Sequence, residues 1–295
     1  MEKFPSIDQF RNVIRELKIN HDYQGKDENG EPLYSHSEPY PTIVFEGTVK
    51  LHGTNAGIVK YPDKIEFQSR ERVLTLAQDN AGFMLSLSSK NIDKLFEGIE
   101  FKNYAAIYGE WCGQGIQSGV ALSQLPKMFV IFGVKVDDVW ISYFKSIPEE
   151  NIFNIQDFPK FQIEVDFNNP ELVQNKLIEL TENVEKECPV GKHFGVSGIG
   201  EGIVWTSFYK DKVYRFKTKG EKHSSSKVKT LASVNVDELN SINEFVDYSL
   251  TDSRLNQGIS VLKEQGLPIN QSSTGEFLRW IIGDIVKEES DTIIS

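Results

Sequence analysis

The 295-residue chain has two cysteines, Cys112 and Cys188, too far apart in sequence to read as a metal-ligand pair, so a reducing intracellular compartment is expected. It has no run approaching the roughly 18 consecutive apolar residues of a membrane span. The first residues, MEKFPSIDQF, lack an apolar leader core. A soluble, cytoplasmic protein without a membrane partner is the expectation. GxxxxGK[ST] and GxGxxG are both missing, which excludes a phosphate-cradling loop at a helix N-terminus. There is no internal repeat and no low-complexity tract. An overall positive balance is lacking too: the formal net charge is -11, which argues against nucleic acid coating the surface as a whole.

What is present fits a globular protein with a full core, at 39% hydrophobic and 25% charged residues. Its charge is uneven. Residues 209–229, YKDKVYRFKTKGEKHSSSKVK, hold eight Lys or Arg against two acids, a footprint suited to one basic cleft. Ile7, Phe10, Val13, Ile14 and Leu17 recur at helical spacing, with Ser6 and Gln9 as a capping box. After a loop over 21–41, strand-type runs are predicted at 42–50, 56–61, 64–69, 105–110, 128–136, 139–144, 202–207 and 213–217. Helical spacing returns over 171–187. Beyond residue 226 the spacing predicts helices at 236–250, 254–265 and 274–289, the last with Ser273 and Glu276 as its capping box. The expectation is an α+β domain over residues 1–225 and a small all-helical domain over 226–295.

Five polar clusters stand at the ends of these strands: VKLHGTN (49–55), QSRERV (68–73), YGEWCG (108–113), EGIVW (201–205) and RFKTKGEKH (215–223). Singly, each has an ordinary reading: a solvated hairpin lysine, a surface ion pair, a turn acid, or an edge strand whose lysines deter aggregation. Together they gather cations and two acids beside apolar strands. In KTK the two-residue period puts Lys217 and Lys219 on one face. Such a cleft suits a polyphosphate accompanied by a divalent metal.

The order KxHGTN, SR, YGE, apolar-aromatic strand, EGIV, KxK resembles the covalent nucleotidyltransferase superfamily of polynucleotide ligases and capping enzymes. Within it the chain is most similar to ATP-dependent RNA ligases of the phage T4 RNA ligase 2 type, since His52 stands where DNA ligases and capping enzymes usually carry Asp. The resemblance covers roughly residues 40 to 225. It implies a nucleotidyltransferase (ATP-grasp-like ligase) domain of antiparallel sheets flanked by helices, and a helical C-terminal domain. It implies that Lys50 attacks ATP to form lysyl-AMP, that His52 and Asn55 face the phosphates from the turn after it, and that Gly53 lets the backbone approach them.

Arg70 and Glu110 are implied at the ribose or the RNA end, and Phe132 as a stacking surface for adenine, its plain alternative being a core phenylalanine. Glu201 is implied as the ligand of Mg2+, or of Mn2+ in its place, and Lys217 and Lys219 as the cations that neutralise the α-phosphate. A free lysine, with a pKa of about 10.4, is a poor nucleophile at neutral pH, and crowding by Lys217, Lys219, Arg70 and metal is the expected means of activating Lys50. The implied partner is RNA with 3′-OH and 5′-phosphate ends, in a nicked or bridged duplex. The chain departs from the pattern at Val49, where an acid is common and the nearest is Glu46, and at Trp111 and Cys112. The alternatives are a capping-type guanylyltransferase and a catalytically silent nucleic-acid-binding module.

Overall fold

The computed structural model describes residues 1–223, 245–246, 249–264 and 267–288. The chain divides into two compact units, Met1–Ser233 and Val234–Ser295. The expected boundary at 225/226 and most of the expected helix 236–250 lie outside the described residues, as do residues 224–229 of the basic stretch.

The first unit is built on two antiparallel sheets. The smaller has four strands in the order β10 (Lys160–Asp166), β3 (Thr42–Lys50), β11 (Gly202–Tyr209), β12 (Lys212–Lys219). In the larger, β5 (Ile65–Ser69), β4 (Thr54–Lys60), β6 (Ala105–Cys112), β7 (Met128–Val136) and β8 (Val139–Ile141) follow one another, and β9 (Ile152–Asn154) pairs parallel to β7. The predicted strands at 42–50 and 128–136 appear with those bounds.

The period-two pattern decides which way each strand faces. In β3, Ile43, Phe45 and Val49 are buried and join one core with Ile203, Trp205 and Phe216. Thr48 and Lys50 therefore face the other way. Helices α1 (Phe10–Asp22) and α4 (Gln174–Lys186) cover the buried face: Phe10 lies 4.7 Å from Phe216, and Thr181 of α4 hydrogen-bonds to Thr218, which also takes the Trp205 Nε1 proton. A second core lies against the larger sheet, where the short helices α2 (Phe83–Ser88) and α3 (Asp93–Phe96) bring Phe83, Leu87 and Leu95 to Trp111 and Phe129. The first unit also carries a short helix α5 (Pro189–His193).

Several local expectations are corrected. Gln9, not Ser6, stands at the start of α1 and makes no side-chain cap. Residues up to Asp8 run extended instead, with Asp8 bridging in parallel to Phe216 and its carbonyl accepting from Lys217 N. Pairing with β12 outweighs the capping box. The loop over 21–41 contains a hairpin, β1 (Tyr23–Lys26) with β2 (Pro32–Tyr34), whose turn Asp27 ties by accepting from Asn29 N and Glu31 N. Strand β10 was not expected; its buried residues alternate only at Ile163 and Val165. In the second unit α6 (Asp252–Glu264) and α7 (Thr274–Glu288) are helical, and Asn270, rather than Ser273, caps the turn that leads into α7 by accepting from Ser272 N.

Gly47 pairs with Trp205 across β3 and β11, and a Cβ there would fall 2.6 Å from the indole ring. Because that indole is fully buried and held through Nε1, it cannot retreat. Gly47→Ala is expected to cost about 1–3 kcal/mol in urea unfolding, the usual range for overpacking. Wild-type stability in the variant would show that the ring has room to move.

Candidate active site

A cleft of about 830 Å3 is lined by residues of both sheets, within the size range of small-molecule sites. Its chemistry follows from the register of the smaller sheet. Gly202 pairs with Lys50 on one side and with Lys219 on the other, and Val204 pairs in the same way with Thr48 and Lys217. Directly opposed residues share a face, so all three lysines look into the cleft. Glu201, one residue before β11 and 3% exposed, reaches into the row. Lys50 Nζ lies 2.8 Å from its Oε2, Lys219 Nζ 2.7 Å from its Oε1, and His52 Nδ1 3.2 Å from Oε2. A Cβ on Gly202 would fall 2.0 Å from the Thr218 carbonyl oxygen.

Burial would raise the Glu201 pKa, but Lys50 and Lys219 more than offset it and hold the carboxyl below the usual range. Lys217 has no carboxylate within ion-pair distance among the described residues. Burial, together with Lys219, Lys50 and Arg70, moves its pKa down. The cation crowding expected at Lys50 therefore falls on Lys217, while Lys50 has a carboxylate as its partner.

Glu110 stands opposite Asn55 across β6 and β4 and accepts from Gly53 N at 3.0 Å. Burial dominates here, with Glu201 adding repulsion against the attraction of Lys50, and the pKa is pushed up to about 7. Two carboxylates near one lysine are thus driven in opposite directions, the arrangement that divides acid and base roles in many active sites.

The family model described as RNA ligase matches residues 43–229, well over half of the chain. The chain belongs to the RNA ligase family. Among solved structures, it is similar to a Naegleria gruberi RNA ligase with PPi at 17% identity and a TM-score of 0.45, covering 76% of this chain and 57% of that one. A variant of that ligase with AMP and Mn gives 15%, 0.48, 76% and 57%. Another, with ATP and Mn, gives 15%, 0.44, 74% and 56%. The chain thus spans somewhat over half the length of these structures. No curated protein matches it.

Of the predicted positions in this RNA ligase family member, His52 and Glu201 do not themselves line the cleft but adjoin it at Lys50 and Lys219, whereas Gly53, Asn55, Arg70 and Phe132 line it directly. Asn55 does so from within β4 rather than from the turn. Gly53 lines the cleft and also packs closely on β6, where a Cβ would lie 2.4 Å from the Trp111 carbonyl oxygen. Arg70 is exposed, donates to Ser6 Oγ at 3.1 Å and lies 3.7 Å from Glu71. Phe132 is the extra residue of a bulge, because Tyr108 pairs with Gly133 and Gly109 with Ile131, and bulges re-aim side chains in this way. Its ring stands roughly perpendicular to that of Phe4, the two centres 4.9 Å apart. Val49 faces the core because β3 alternates, and Glu46 lines the cleft and pairs with Lys160. Trp111 and Cys112 are buried, the indole donating to the Ala81 carbonyl.

Four residues without a predicted role take a place beside these. Phe4 enters from the N-terminal segment and Trp140 from β8, their ring centres 5.4 Å apart, and the Arg215 guanidinium lies 5.4 Å and 4.6 Å from the two. Burial lowers the Arg215 pKa to about 10. The two-residue step from Lys219 to Lys217 extends to Arg215, a signal that the sequence did carry. His223 packs edge-on against His52 at 4.9 Å.

Glu110 yields a pH prediction. Its unfolded pKa is 4.5 and its folded value about 7, so between these the unfolded chain has lost the proton that the folded one keeps. Rising pH therefore costs stability across that window. Glu110→Gln removes the titration. Relative to wild type it is expected to gain, by at most about 3 kcal/mol, as urea unfolding is moved from pH 4.5 to pH 7.5. A difference that stays constant with pH would rule out the shift.

Proposed function

We propose that the protein is an ATP-dependent RNA ligase of the phage T4 RNA ligase 2 type, joining 3′-OH and 5′-phosphate RNA ends through lysyl-AMP. The observation that carries this reading is the convergence of Lys50, Lys219 and His52 on one buried carboxylate, with Lys217 beside them, in the cleft of an RNA ligase family fold. In the first step Lys50 Nζ, having given up its proton, forms a bond to the α-phosphorus of ATP as the bond to the bridging oxygen breaks and pyrophosphate leaves. An oxygen of the RNA 5′-phosphate then attacks that phosphorus, and the P–N bond breaks to return the lysine. Attack by the 3′-hydroxyl on the 5′-phosphate expels AMP and leaves a phosphodiester.

Of the three lysines, Lys217 is the one with no carboxylate at ion-pair distance among the described residues, which suits it to an α-phosphate gathering negative charge. Lys219 holds Glu201 in place and shares that task. Glu110, with a pKa of about 7, can accept or donate to a ribose hydroxyl at neutral pH. Phe132, turned into the cleft at the β7 bulge, offers a ring for adenine to stack on. Arg70, the one exposed cation of the set, suits the RNA end.

The donor set fits Mg2+ or Mn2+. Both ions take carboxylate oxygen, and Mg2+ commonly uses one or two carboxylates and completes its shell with substrate phosphate and water; Glu201, held ionised beside Lys50 and Lys219, is such a ligand. A bound ion would draw charge off the nucleotide phosphates. By engaging Glu201 it would also remove the partner that Lys50 holds at 2.8 Å.

The guanylyltransferase alternative is tested by nucleotide. Incubation with α-labelled ATP or GTP and Mg2+, followed by a denaturing gel, is expected to leave acid-labile label on the protein from ATP alone. Label from neither nucleotide would favour the silent module. Lys50→Ala is expected to abolish labelling yet still seal a nicked RNA that already carries 5′-adenylate, whereas Glu201→Ala fails in both assays. Labelled enzyme from Lys50→Ala at the wild-type rate would exclude it as nucleophile.

The lysines of β12 separate in a further measurement. Lys217→Ala and Lys219→Ala are each expected to slow adenylylation by on the order of 10²-fold, the usual loss for a charge-stabilising group in a dry site. Near-wild-type rates in both would return the strand to an ordinary exposed edge.

A further inference from the structure

Apart from the cleft, the first unit has a cluster of metal-type donors that the ligase reaction does not use. Helix α1 ends in His21 and Asp22, and the β1–β2 hairpin that follows turns the chain back so that Ser35 N donates to the Asp22 carbonyl at 2.8 Å and Tyr23 pairs with Tyr34. His36 is thereby set beside His21. Both imidazoles converge on a single oxygen: Asp22 Oδ1 lies 3.2 Å from His21 Nδ1 and 3.1 Å from His36 Nδ1. The other oxygen, Oδ2, accepts from the Tyr40 hydroxyl at 2.9 Å. Donor atoms of the three residues all lie within 4.8 Å of one another.

From this arrangement we infer that His21, Asp22 and His36 form a binding site for a divalent transition metal of the zinc class, with a fourth position open to water. Ligands on a tetrahedral zinc with bonds of about 2.0–2.1 Å stand about 3.3 Å apart, close to the two nitrogen–oxygen separations found here. A change of tautomer and a rotation of the rings or the carboxylate are needed, so that the lone pairs meet at the ion instead of at Asp22 Oδ1. With each ring proton moved to Nε2, the Nδ1 lone pairs and the carboxylate present two neutral nitrogens and one anionic oxygen, the set that suits zinc and its neighbours rather than Mg2+.

Two further features favour a cation at this place. It lies at the carbonyl end of a 13-residue helix, where the backbone dipole attracts positive charge. The donors are also held in advance. Tyr40 fixes the carboxylate, as second-sphere hydrogen bonds do in zinc sites, and its ring packs against both imidazoles at 5.1 Å and 4.4 Å. The His21 side chain is 10% exposed and Asp22 19%, while His36 at 51% leaves one side open to solvent. The ion closes a loop of chain from Asp22 to His36 and so staples the hairpin to the end of α1.

Zinc titration by calorimetry tests this on the full chain, stripped with chelator and held in excess Mg2+. The same titration is run on Glu201→Gln, to separate the cleft, and on His21→Ala and His36→Ala. Wild type and Glu201→Gln are expected to bind one Zn2+, and each histidine variant to bind it at least 10-fold more weakly. Zinc should raise the Tm of wild type and not that of His36→Ala, whose exposed side chain can be removed without opening the core. Adenylylation with Mg2+ should be unchanged in His36→Ala. Absence of zinc binding, or binding that survives both histidine variants and disappears in Glu201→Gln, would overturn the assignment.

Discussion

A carboxylate that is 3% exposed is costly to keep charged unless its partners are close and well placed. Glu201 meets that condition through Lys50, Lys219 and His52, and much of the surrounding architecture can be understood as supplying them. Strands β3 and β12 flank β11 in a register that puts the two lysines on either side of Gly202. The glycine leaves the middle of the row empty. On the opposite face Trp205, Phe216 and Phe45 fill the core, so a one-residue slip of β3 or β12 would bury a lysine and expose an aromatic ring. The same pattern that stabilises the sheet thus sets the geometry of the charged group.

The larger sheet supplies a different environment. Glu110 sits on β6 with Gly53 N as its hydrogen-bond donor and without a cation at ion-pair distance among the described residues, and burial keeps its proton on to about pH 7. Glu201, a comparable acid on the facing sheet, is held ionised. What separates them is contact: one carboxylate touches two ammonium groups, and the other is reached by Lys50 only through longer-range attraction. The cleft therefore offers a fixed anion and a titrating acid on its two walls, with Lys217 as a cation not engaged by a carboxylate.

Much of the first unit was legible from local pattern. Strands with strong alternation or continuous apolar runs, such as 42–50 and 128–136, were found with their limits, because burial on one or both faces leaves few other arrangements. Features stabilised by partners distant in sequence were not. The segment before α1 reads as a helix cap, yet it pairs with β12, more than 200 residues later. The hairpin within 21–41 has little apolar pattern of its own and depends on its turn at Asp27. Strand β10 buries only Ile163 and Val165 and exists because β3 offers it an edge.

Residue type and spacing by themselves determined the membership of the charged set: a lysine before HGTN, a glutamate before GIV, and two lysines on one face of KTK. These follow from the two-residue period of a strand and from the chemistry of lysine and carboxylate. Partnership was decided only by the tertiary structure. Which lysine meets the carboxylate, which is crowded by cations, and which acid titrates near neutrality depend on strand register and burial, and these join separate segments of the chain, 151 residues apart for Lys50 and Glu201 and 57 for Gly53 and Glu110. The bulge that turns Phe132 into the cleft and the entry of Phe4 beside it belong to the same class. So does the meeting of His21 with His36, since a side chain's neighbours across a fold are set by packing and not by its position along the chain.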